Sequence, residues 1–142
     1  MNKKKHKLSV SSEENYCLLG ISTDEPDYKL CWLINDQFRM SFFKTDNLRV
    51  FHKKLNEDQE FSLFQYDDEN SMLVYRIIGN RSDEGFFLSE LKNIDFLLHI
   101  QGDLIQDDIT KLVRQLISLD AVRMCVPVDL GKLKEKDRLQ LW

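Results

Sequence analysis

Apolar residues alternate with polar ones along much of this chain, and one segment repeats them at helical spacing. The alternation comes first. Tyr16 to Ile21 reads as a strand, and Thr23, Asp24, Glu25, Pro26 and Asp27 form the turn after it. Tyr28, Leu30, Trp32 and Ile34 then occupy every second position, as do Phe38, Met40 and Phe42, which predicts two strands with one apolar face each. Residues opposite one another in a hairpin share a face. Pairing Ile34 with Phe38 across Asn35, Asp36 and Gln37 therefore brings Trp32 to Met40 and Leu30 to Phe42, so a three-residue loop or a bulge is expected.

Further strands are expected at Phe61 to Tyr66, Met72 to Ile78, Phe86 to Leu88 and Ile94 to Ile100, the last with Ile94, Phe96, Leu98 and Ile100 on one face. Between them, 46–57 has Leu48, Phe51 and Leu55 at helical spacing and reads as either a short helix or an irregular excursion. The helical segment is clearer. Ile105, Ile109, Leu112, Val113, Leu116 and Ile117 form an apolar stripe behind a candidate cap at Asp103, predicting one major helix over about 104–119. Val122, Met124, Val126 and Val128 then alternate as a C-terminal strand, which Pro127 suits to a sheet edge. The strand, helix and strand from Ile94 to Val128 suit a right-handed crossover between parallel strands. The expected fold is α+β: a mostly antiparallel sheet of about seven or eight strands with the major helix on one face.

The chain has 142 residues, which suits one domain, expected over 15–128 and flanked by a flexible basic tail at 1–14 and a charged extension at 129–142. Leu139, Leu141 and Trp142 in that extension can dock on the domain or on a second subunit. With 42% apolar residues and Ala121 as its single alanine, the chain favours a folded protein over a disordered one and disfavours an alanine-rich bundle. Charge is unevenly spread. The 20 basic and 24 acidic residues give −4, and with Lys3, Lys4, Lys5 and Lys7 set aside the remaining 16 against 24 give −8. So negative a body repels phosphate backbones, which makes nucleic acid an unlikely partner. No apolar run is long enough for a spanning helix, so no membrane partner is expected. Cys17, Cys31 and Cys125 are scattered and odd in number, which fits reduced thiols in a cytoplasm.

Leu88-Ser89-Glu90-Leu91-Lys92-Asn93-Ile94-Asp95-Phe96 resembles the signature of the IPExxxVDY family, small uncharacterised proteins of Bacteroidetes. Glu90 and Asp95 match the signature, Leu88, Ile94 and Phe96 replace residues of similar character, and Ser89 stands where the family has proline. Gly20-Ile21-Ser22-Thr23, Asp27-Tyr28-Lys29-Leu30-Cys31-Trp32 and Asn80-Arg81 look similar as well, extending the likeness loosely over 16–102. The resemblance implies a bacterial cytoplasmic protein, draws attention to Tyr28, Trp32, Asn80, Arg81, Glu90, Asp95 and Phe96, and implies no particular activity.

Glu90 and Asp95 are the catalytic candidates, since paired carboxylates can divide acid and base work. Their structural alternative is a turn cap or an ion pair with Arg81 or Lys92 for Glu90, and hydrogen bonds at a strand start for Asp95. The histidines His6, His52 and His99 and the cysteines lack the short spacings of metal motifs, and Gly20, Gly79, Gly85, Gly102 and Gly131 never cluster into a phosphate loop. Hence neither metal nor cofactor is expected. Phe61, Phe64, Tyr66 and Tyr75 can stack bases on an RNA-binding sheet, or simply fill a core. The favoured expectation is a non-enzymatic protein–protein interaction module, with a homodimer as one candidate assembly, motivated by Leu33, Phe43 and Leu97 opposite the main core faces. A small carboxylate enzyme and an RNA-binding domain are the alternatives.

Overall fold

The computed structural model describes residues 15–140. Elements run β1 (Tyr16–Thr23), α1 (Asp27–Phe38), β2 (Phe43–Lys44), β3 (Leu48–His52), β4 (Glu57–Phe61), β5 (Leu63–Asp68), β6 (Leu73–Gly79), β7 (Arg81–Ser82), β8 (Gly85–Phe86), β9 (Phe96–Gln101), α2 (Gln106–Ile117) and β10 (Val122–Pro127), followed by 3₁₀ turns at Leu130–Lys132 and Lys136–Leu139. Among the described residues, six strands form the main sheet in the order β10-β1-β9-β6-β5-β2, every neighbour antiparallel. The fold is α+β. Because β1 lies between β9 and β10 and opposes both, β9 and β10 run parallel, joined through α2, and β10 forms one edge of the sheet. Two further hairpins, β3-β4 and β7-β8, stand apart from this sheet.

Period-two alternation sends the two halves of each central strand into different cores. Cys17, Leu19 and Ile21 of β1, Leu98 and Ile100 of β9 and Ile77 of β6 pack beneath both helices, against Leu30, Cys31 and Ile34 of α1 and Ile109, Leu112 and Leu116 of α2. Tyr16, Leu18, Ile78 and Leu97 face the other way. They meet Phe61 of β4, the 87–94 segment through Phe87, Leu88 and Ile94, and the C-terminal stretch through Val128, Leu130 and Leu139. The central strands are thus covered on both faces, and fully buried strands read as runs such as Leu18-Leu19 and Phe96-Leu97-Leu98.

The expected hairpin from Tyr28 to Phe42 is replaced by α1. Pro26 is its N-cap, Asp27 lies in its first turn, and Arg39 closes it in the left-handed conformation at φ 56°. Leu30, Cys31 and Ile34 satisfy the helical period as well as Leu30 and Ile34 satisfy alternation, while Tyr28 and Trp32 project into solvent. The two exposed rings supplied half of the misleading alternation. Segment 46–57 is neither short helix nor excursion; it supplies β3 and the first residue of β4. The main helix begins at Gln106 with Ile105 at its N-cap, so Asp103 does not cap it, and Ile105 and Ile117 lie outside the buried stripe. Ile94 precedes β9 and joins the second core, whereas Phe96, Leu98 and Ile100 join the first. Leu97 is wholly buried, which removes it from the uncovered face expected for it. Leu139 of the C-terminal extension docks on its own domain, while Leu141, Trp142 and the basic tail 1–14 lie outside the described residues.

Candidate functional site

The segment from Asn80 to Phe96 crosses the end of the sheet next to the start of β9, and its polar residues have separate tasks. Asn80 is completely buried. Its amide nitrogen donates to the carbonyls of Leu91 at 2.9 Å and Ile94 at 3.0 Å, and its side-chain oxygen accepts from the Leu88 N–H at 2.8 Å. One side chain therefore satisfies three backbone groups of a segment that has no ladder partner there.

Asp95 follows at the entrance to β9. Its Oδ1 lies 3.1 Å from Arg81 Nε, while its Oδ2 accepts the Thr23 N–H at 2.9 Å and lies 3.7 Å from Arg123. Arg123 also pairs with Asp24, and Arg81 donates to the Lys92 carbonyl at 3.0 Å. A carboxylate with both oxygens engaged by two guanidinium groups and a backbone N–H joins three regions: the end of β1, β7 and β10. Glu90 points elsewhere. Its Oε1 accepts the N–H groups of Lys134 at 2.6 Å and Glu135 at 3.3 Å, making it a backbone clasp for the C-terminal stretch. The two signature carboxylates thus have separate sets of partners. Thr23 belongs to the Gly20-Ile21-Ser22-Thr23 stretch noted in the sequence, whereas Arg123 and Glu135, which complete these contacts, lie far from 88–96 in sequence and carry no local motif that announces them.

Other candidates fall within the packing. Phe61 and Phe64 are buried, and Tyr66 stacks on Tyr75 at 5.5 Å beside Phe42 in the helix-covered core. His99 is buried on the second face, stacked 4.6 Å from Tyr16, and His52 Nδ1 accepts the Leu55 N–H at 3.1 Å. His6 lies outside the described residues. Among the described residues, no three His, Cys, Asp or Glu side chains are grouped so as to hold a metal ion. Burial pushes the thiols of Cys17, Cys31 and Cys125 up to about 12, with Asp27 adding to the rise at Cys31, so all three stay protonated near neutrality. No helix among the described residues is long and apolar enough to cross a membrane.

The solvent side of α1 is different in kind. Tyr28 is 67% exposed and Trp32 57% exposed, one turn apart on the same face. Lys29 Nζ stands 5.1 Å from the Trp32 ring centre. Alongside runs an open groove of about 530 Å³, walled by Glu25, Lys29, Leu33 and Gln37 of this helical region and by 118–121 at the exit of α2. Phe43, the other outward apolar residue expected from the sequence, is also exposed, on the edge strand β2. No protein-family model, curated protein or solved structure matches this chain.

Proposed function

We propose that this protein is a protein–protein interaction module whose partner is a second copy of itself, docked through the solvent face of α1. The observation that carries the reading is the exposed pair Tyr28 and Trp32 on a well-formed helix. Rigid aromatic anchors of this kind dominate contact energies while losing little side-chain entropy on binding. Charge supports the choice of partner. Lys29 lies three residues before Trp32 and Asp36 four after it, so two antiparallel copies of α1 related by a two-fold axis near Trp32 set each Lys29 against the other copy's Asp36. The groove beside Leu33 gives the partner's aromatic residue an adjoining recess. Membership of the IPExxxVDY family and a bacterial cytoplasmic setting belong to the same proposal, supported by the residues of 88–96 and by the three free, buried cysteines.

Sedimentation equilibrium over a wide concentration range tests this. The expected result is reversible self-association that Trp32→Ala weakens at least tenfold without lowering the unfolding midpoint. A chain that stays monomeric at the highest concentration, or a dimer indifferent to Trp32→Ala, overturns it.

A further inference from the structure

We infer that the C-terminal stretch Leu130–Leu139 is a peptide ligand bound in cis, a displaceable strap over a docking surface made by 86–91, and that the surface fits partner segments carrying the strap's own chemistry. The surface is distinct from the α1 face. Val128 is the last residue before the strap to join the sheet by its backbone, its N–H donating to the Leu18 carbonyl at 2.9 Å. Beyond it, among the described residues, the backbone–backbone hydrogen bonds of the stretch are internal, linking Lys132 to Asp129, Leu133 to Leu130, Arg138 to Glu135 and Gln140 to Asp137. A segment with internal turns and no ladder bond can leave without breaking the sheet.

Side chains make the attachment, and they work in both directions. Glu90 accepts the Lys134 and Glu135 N–H groups, while Glu135 Oε1 accepts from the Ser89 N–H at 2.8 Å and the Ser89 hydroxyl at 2.7 Å. Arg138 donates to the carbonyls of Phe86 at 3.0 Å and Phe87 at 2.6 Å. Leu130 and Leu139 are buried, and Leu133 packs against the same core. This is the grammar of peptide recognition: apolar anchors in a pocket, flanked by charge-assisted bonds to a receptor's backbone. The fitting partner is therefore a leucine-bearing segment with a carboxylate for Ser89 and, three residues later, a guanidinium for the Phe86 and Phe87 carbonyls. Tethering gives the strap a high effective concentration, so a free segment gains access once the strap's own bonds are weakened.

The test uses the full chain with Glu135→Ala and Arg138→Ala, changes confined to the strap that leave Ser89, Glu90 and the receptor backbone intact. A fluorescent peptide with the natural sequence of 128–142 is titrated into it and into the unaltered chain, with amide exchange of Ser89 followed by NMR. The expected result is saturable binding at least tenfold tighter to the double variant, restored Ser89 protection on binding, and weaker binding when Ser89→Ala is added. If the double variant does not fold, Glu135→Ala alone gives the same comparison, since it frees the Ser89 N–H and hydroxyl while Arg138 keeps the Phe86 and Phe87 carbonyls. Overturning results are a peptide that binds neither chain although Ser89 has lost protection, a strap whose amides exchange only together with those of β1 and β9, or a dimer made by exchange of straps.

Discussion

Replacing Asn80 by Ala strands the Leu88 N–H and the Ile94 carbonyl, while the Leu91 carbonyl keeps the Ile94 N–H, and each stranded group costs about 1–3 kcal/mol when left unmade. The expected loss is about 3 kcal/mol in urea unfolding at constant m-value, more than for any exposed residue of the same segment; a loss near zero would mean that 88–94 is held by its apolar contacts alone. Asn35 acts similarly on a smaller scale. It accepts the Phe42 N–H at 2.8 Å and donates to the Phe42 carbonyl at 3.0 Å, imitating a ladder pair where the chain leaves α1. Asn35→Ala is expected to cost about 1–2 kcal/mol by the same measurement. Neither role was legible in the sequence. An asparagine in a loop reads as a turn former, and whether its amide reaches backbone groups several residues away is settled only by tertiary packing. Glu90 and Asp95 stood out only through the resemblance of 88–96 to a family signature, and their partners at 134–135 and at Arg123 come from distant parts of the chain.

At the scale of elements, the buried strands were legible because a continuous apolar run bounded by turn residues allows few other readings, and the α2 stripe was legible because its period is sustained. For α1 the pattern was degenerate. Residues Leu30 and Ile34 are compatible with both periods, and the choice turned on Tyr28 and Trp32, which burial did not select at all. Against that alternation, the local helical signals were Pro26 immediately before the helix and the acidic Asp27 in its first turn. The join between β9 and α2 shows a further local constraint. Gly102 has φ +132°, and a Cβ there would lie 2.7 Å from the Leu73 side chain and 3.0 Å from the Met72 carbonyl. Gly102→Ala is therefore expected to lower the thermal midpoint by several degrees, whereas Gly131→Ala, which meets only Asp129 at 3.4 Å, leaves it nearly unchanged.

Over the whole molecule, the first core couples β1, α1 and β10 through Cys17, Cys31 and Cys125. Folding holds these thiols well above their ordinary range, so the unfolded chain loses their protons first. Stability from this source is complete below about pH 9 and is lost as pH rises through about 12, above which native and unfolded chains are both deprotonated. Urea titrations between pH 8 and 11 should show that decline, and it should diminish in a Cys17→Ser, Cys31→Ser, Cys125→Ser chain if that chain folds. The same burial predicts that a thiol reagent labels all three only after unfolding. The outer surface carries the functional claim, and one mixing experiment reaches it directly. Lys29→Asp and Asp36→Lys each place like charges opposite one another in the proposed two-fold contact, while the pair of variants together restores opposite charges at both positions. Sedimentation velocity on each variant alone and on their equimolar mixture should give monomers, monomers and a heterodimer; a mixture that sediments as the unassociated variants do contradicts docking through α1.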